Sequence, residues 1–129
     1  MFLGESLTSQ EMKALEANAG YLGLSSLQLM ENAGKAVADE VARRFNTRNR
    51  VTAVCGTSGN GGDGFVAARH LANLGYPVEV LVVGNPDLIS SDESKRNYRI
   101  LEKMRNSIRL TTMRDSAYVS PCLLYTSPS

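Results

Sequence analysis

Arg50-Val51-Thr52-Ala53-Val54-Cys55-Gly56-Thr57-Ser58-Gly59-Asn60-Gly61-Gly62-Asp63-Gly64-Phe65-Val66-Ala67-Ala68-Arg69-His70-Leu71 decides how this chain is read. After Arg50, the five residues Val51 to Cys55 are β-branched or small and almost continuously apolar, as in a strand buried on both faces of a parallel sheet. Glycines interrupt the strand at once. Helical spacing then resumes through Val66, Ala67, Leu71 and Leu74 and stops at Gly75. Strand, glycine loop and helix in that order open a β-α-β unit.

The pattern extends downstream. Val78-Glu79-Val80-Leu81-Val82-Val83 reads as a second buried strand closed by Gly84-Asn85-Pro86. Ser90 or Ser91 can cap a further helix, with Asp92 and Glu93 in its first turn and Tyr98, Leu101 and Met104 on its apolar stripe. Ile108-Arg109-Leu110-Thr111-Thr112-Met113 alternates enough to be an edge strand. Upstream, Thr8-Ser9-Gln10-Glu11 has the capping-box pattern and starts a helix through Met12, Leu15, Ala19 and Leu22, ended by Gly23. Ser25-Ser26-Leu27-Gln28 starts another, whose stripe runs through Leu27, Met30, Ala33 or Gly34, Val37, Val41 and Phe45. The element order predicts an α/β fold: a three-layer α/β/α Rossmann-like parallel sheet with right-handed crossovers, ending after about three strands.

Composition narrows the function. The 129 residues suit one domain, with 43% hydrophobic and 21% charged residues, as in a globular protein. A net charge of +1 gives no electrostatic case for a nucleic acid or an anionic membrane. No apolar run approaches the roughly 20 residues of a membrane span, and the N-terminus lacks the marks of a signal peptide, so a cytoplasmic location is expected. Cys55 and Cys122 have neither zinc spacing nor a disulfide framework around them. Residues 122–129, Cys-Leu-Leu-Tyr-Thr-Ser-Pro-Ser, bear no relation to the preceding periodicity and read as a non-native read-through tail outside the fold, leaving 1–121 as the domain. That division predicts an unpaired edge on the first strand and a marginally stable chain.

Gly59-Asn60-Gly61-Gly62-Asp63-Gly64 matches G-x-G-x-x-G between a strand and a helix. Such glycines let the backbone turn sharply and approach a ligand closely. An ordinary dinucleotide cradle is disfavoured, because Asp63 would face a diphosphate and no acid stands at the tip of the Val82-Val83-Gly84 strand; Asp87 comes too late. A P-loop is disfavoured because Gly62-Asp63 stands where Lys and Ser or Thr belong. The Asn60 amide, the Asp63 carboxylate and exposed carbonyls are hard oxygen donors, suited to an alkali cation or to ligand hydroxyls. The bland alternative has Asp63 capping the next helix.

Leu29-Met30-Glu31-Asn32-Ala33-Gly34-Lys35-Ala36-Val37-Ala38 followed by this loop and Phe65-Val66-Ala67-Ala68-Arg69-His70-Leu71 resembles the NAD(P)H-hydrate epimerase family, the YjeF N-terminal domain. The resemblance runs from about Leu7 to Ser116 and covers the first half or somewhat more of that domain. It implies a Rossmann-type fold, a homodimer, and epimerisation of the R and S forms of hydrated NADH and NADPH, with fusion to an ADP-dependent dehydratase in some members. It places substrate binding on Gly59, Asn60, Gly61, Gly62 and Asp63, with Asn60 also a potassium ligand. Many members carry two consecutive asparagines; Gly59 at the first position matches the archaeal-type loop. The family's remaining potassium ligands, second glycine-rich segment and acid-base aspartate lie C-terminal to residue 121, so the chain is expected to be a truncated, inactive form with no assignable catalytic residue. His70, Glu31 and Asn32 read as helix-surface or packing residues. A non-catalytic binding or scaffold module of the same fold is the alternative.

Overall fold

The protein is described by a computed structural model covering residues 6–7, 23, 25–57, 61–113 and 122–127. The helix expected between Thr8 and Gly23 falls outside these residues. The chain forms β1 (Ser6–Leu7), α1 (Ser26–Arg44), β2 (Arg50–Cys55), α2 (Gly61–Asn73), β3 (Val78–Val83), a 3-10 turn (Pro86–Leu88), α3 (Asp92–Glu102), β4 (Ile108–Met113) and β5 (Cys122–Ser127).

Local chemistry sets the helix starts. Ser25 caps α1 in a reciprocal box, its hydroxyl accepting from the Gln28 amide at 3.3 Å while its own amide donates to Gln28 Oε1 at 3.0 Å. Ser91 caps α3, accepting from the Ser94 amide at 3.1 Å. After α2, Gly75 takes φ +99°, a conformation that glycine reaches without strain, and Tyr76 turns back to donate its hydroxyl to the Phe45 carbonyl at 2.5 Å.

β2, β3 and β4 pair in parallel, Val51 opposite Val78 and Val78 opposite Ile108. Because β2-α2-β3-α3-β4 advances in one direction, right-handed crossovers put α2 and α3 side by side on one face. Val51, Ala53, Cys55, Val80, Val82, Ile108 and Leu110 are buried toward that face and join Phe65, Leu71 and Leu101 in a single core. On the other face Thr52, Val54, Glu79 and Leu81 are only half-buried. The α/β, Rossmann-like class read from the sequence is therefore present, and β4 is an edge strand as expected. The second helical layer expected over the sheet is not among the described residues.

Two features depart from the sequence reading. The first is β5. Cys122–Ser127 does not lie outside the fold; it pairs antiparallel with β2 along its whole length, Cys55 opposite Cys122 and Arg50 opposite Ser127, and β1 pairs outside it. The sheet order is β1-β5-β2-β3-β4, a mixed five-stranded sheet in which β2 has no open edge. A parallel strand with one free side presents a row of unpaired amides and carbonyls, and a short segment of Leu, Tyr and Thr satisfies them whatever its periodicity relative to the rest of the chain.

The second is the start of α2, which begins at Gly61 rather than at Phe65. Glycine is about 1 kcal/mol poorer than alanine in a helix. Tertiary packing overrides that preference here: a Cβ on Gly62 would lie 2.4 Å from Met30 Sδ of α1 and 2.5 Å from Ser94 Oγ of α3, and α1 itself comes so close at Gly34 that a Cβ there would lie 2.4 Å from Val66 Cβ and 2.9 Å from the Asp63 carbonyl oxygen.

Two outcomes are expected. Ending the chain at Pro121 uncovers the β2 edge and should replace cooperative unfolding by self-association, read by thermal melting and sedimentation; an unchanged melting curve would show β5 to be dispensable. Gly34→Ala gains helix propensity but forces α1 from α2, a net loss of about 1–2 kcal/mol by chemical denaturation. Val66→Ala in the same chain should make Gly34→Ala much less damaging.

Candidate functional site

The carboxyl ends of parallel strands are where an open α/β sheet can receive a ligand, most of all beside a strand flanked in two directions. β2 is that strand, with β3 on one side and β5 on the other. Its end runs through Gly56 and Thr57 into the glycine loop. Gly61, Gly62, Asp63 and Gly64 are all buried in the first turn of α2, and Asp63 is only 1% exposed. Asp63 is thus not the residue that caps the helix from outside, as the bland reading had it. It lies inside the first turn, where the helix macrodipole favours negative charge. Gly59 and Asn60 lie outside the described residues.

The loop is braced from three directions. The Ser90 amide donates to the Thr57 carbonyl at 3.0 Å, tying the loop's stem to the segment after β3. Gly84 packs against the same threonine: a Cβ there would sit 3.1 Å from Thr57 Cγ2, and the backbone has φ +114°. Asp87 is exposed in the 3-10 turn, where its amide donates to Asn85 Oδ1 at 3.0 Å. A cleft of about 600 Å³ opens beside this turn, walled by Asn85, Asp87, Tyr98 and Thr112. Burial, and secondarily the Glu102 charge, pushes the Tyr98 phenol up, so it remains a neutral donor.

The third brace is ionic. Glu31 on α1 accepts from Arg69 and lies 2.6 Å from His70 Nε2, both on α2. Burial alone would raise the Glu31 carboxyl, but the hydrogen bonds and charges of Arg69 and His70 outweigh it and hold it below the ordinary glutamate value. Asn32 is exposed on α1. The sequence placed His70 on a helix surface near the loop. It did not join His70 and Arg69 to Glu31, because a contact between residues 38 and 39 positions apart has no local signature.

The family model described as YjeF-related protein N-terminus matches residues 26–120. The chain belongs to that family. Among relatives of the YjeF-related chain, a bifunctional NAD(P)H-hydrate repair enzyme Nnr of Methanothermobacter thermautotrophicus is 46% identical over 114 residues, 86% of this chain and 22% of the relative. An NAD(P)H-hydrate epimerase of Cenarchaeum symbiosum is 42% identical over 106 residues, 82% of this chain and 49% of the relative. The crystal structure of yeast ynu0 superposes with TM-score 0.61 at 25% identity, covering 84% of this chain and 47% of that one. The YjeF-related chain thus spans about a fifth of the length of the bifunctional relative. No helix of the described residues is long and apolar enough to cross a membrane.

The YjeF-related match takes in both motifs, and the structure shows their physical link. The Met30–Gly34 segment of the first motif lies against Gly62, Asp63 and Val66 of the second, with Glu31 clamped to Arg69 and His70 beside them.

The clamp carries a pH dependence. A carboxyl with a lowered folded pKa contributes stability above its unfolded pKa and loses it as pH falls through the folded value. Glu31 is 41% exposed at its side chain, so solvent screening limits the contribution to less than about 1 kcal/mol. Glu31→Gln should lower stability slightly at neutral pH, and the gap from the parent protein should close under acid; a gap independent of pH in denaturation series would contradict this.

Proposed function

We propose that the glycine loop binds hydrated NADH or NADPH and that the full-length parent of this chain interconverts its R and S forms, as in metabolite repair. The observation that carries this reading is the buried Gly61-Gly62-Asp63 turn at the carboxyl end of β2, within a segment that matches the family model and relatives named as NAD(P)H-hydrate epimerase or repair enzyme. Both hydrates bear a hydroxyl at C6 of the nicotinamide ring, next to the ring nitrogen. Protonation of that hydroxyl and loss of water yields a nitrogen-stabilised cation that can be rehydrated from either face; ring opening instead yields an aldehyde on which the nitrogen can reclose from either face. The protein must therefore hold the nucleotide still and leave that carbon reachable.

In this reading Gly59, Asn60, Gly61, Gly62 and Asp63 bind substrate. The amides of the first helical turn donate to ligand oxygens, and the Asp63 carboxylate accepts from a ligand hydroxyl. A potassium ion fits the oxygen-rich donor set, with Asn60 as a ligand and the buried Asp63 carboxylate close by in sequence. When bound, the ion supplies positive charge that lets a carboxylate and an anionic nucleotide share one site. A homodimer in the cytoplasm completes the proposal.

Incubating the purified full-length parent protein with the separated hydrates and following their ratio by chromatography tests the reading. Faster interconversion, greater in potassium than in an equal concentration of a bulky organic cation, is expected. No acceleration in either buffer would end it. Asn60→Ala with Asp63→Ala should weaken hydrate binding by about tenfold or more, since each removes a polar contact in a desolvated site; unchanged affinity would place the ligand elsewhere.

A further inference from the structure

Gly62 is enclosed from behind. A Cβ on it would lie 2.4 Å from Met30 Sδ, 2.6 Å from Met30 Cε and 2.5 Å from Ser94 Oγ. Met30 arrives from α1 and Ser94 from α3, and both are buried, at 8% and 3% exposure. A methionine end is ordinarily free to swing away. Here its sulfur accepts from Asn97 Nδ2 at 3.3 Å, and the same amide nitrogen donates to the Glu93 carbonyl at 3.0 Å. Ser94 is fixed as well, its hydroxyl accepting from Ser91 Oγ at 2.8 Å. The space behind the loop is filled by groups with no easy retreat.

We propose that Met30, held by Asn97 and flanked by Ser94, is the positioning residue of the glycine loop, and that residue 62 must be glycine because of what stands behind it rather than because a ligand touches it in front. The buttress sets how far the first-turn amides of α2 project into the site. Its consequence for substrate rests on the proposed function; its geometry does not. The usual account of a glycine-rich loop is close approach by the ligand. The two accounts differ in one respect: space opened behind the loop relieves a side chain at position 62 only in ours.

The test is a double-mutant cycle between Gly62→Ala and Met30→Ala, with Asn97→Ala as a third variant. Kinetics of the full-length parent protein on the hydrates should show Gly62→Ala raising KM about tenfold with kcat changed much less, the mark of weakened ground-state binding. Met30→Ala alone should have a smaller effect. The double variant should recover most of the KM, with Asn97→Ala giving partial relief of Gly62→Ala by freeing the methionine. Amide hydrogen exchange at Gly61 to Asp63 should follow the same order, fastest in Gly62→Ala and restored in the double variant. A double variant no better than Gly62→Ala in both measurements overturns the proposal. Should the full-length protein without these substitutions leave the hydrates unchanged, the functional reading falls and hydrogen exchange alone decides: reversal in the double variant upholds the buttress, and its absence overturns it.

Discussion

The crossing of α1 over α2 is the contact on which the rest of the molecule depends. Gly34 lets the two backbones approach until the Asp63 carbonyl and Val66 occupy the place a side chain would take. Interiors packed to this density do not absorb even one methyl group without displacement. The first turn of α2 is therefore located by α1, although the loop preceding it belongs to β2. The glycines of α2, which cost helix propensity, are tolerated because burial of Phe65 and Leu71 in the core holds the helix against the sheet.

The sheet supplies the second half of the frame. β2 bears the loop, and its backbone is bonded on both sides, by β3 in parallel and by β5 in antiparallel register. Thr126 of β5 is 2% exposed opposite Val51, and its hydroxyl finds no hydrogen-bond partner among the described residues. A buried hydroxyl without a partner costs free energy that an apolar isostere would not. Backbone pairing with β2 along its whole length holds β5 in this position.

Much of this was legible in the sequence. The three parallel strands lie where the apolar runs of Arg50–Cys55, Val78–Val83 and Ile108–Met113 put them, and Ser25 and Ser91 cap the helices they precede. The turn between β2 and α2 was legible in place because its glycines separate an apolar run from resumed helical spacing. Less could be read of what depends on distant partners. Helical spacing alone could not show that α2 begins in glycines, since what encloses Gly62, Met30 of α1 and Ser94 of α3, comes from distant stretches of the chain. Ser94 and Asn97, polar residues on α3, are buried because they meet Met30 and Gly62, so a hydropathy stripe built on Tyr98, Leu101 and Met104 passes them by. The place of β5 was hidden because strand pairing satisfies the backbone and leaves no periodicity to find.

The bond from the Ser90 amide to the Thr57 carbonyl joins two connections that leave neighbouring strands. A displacement at Thr57 is therefore felt at Ser90, and a ligand held at the end of β2 would meet a stem already tied to the next connection, with that much less to order on binding.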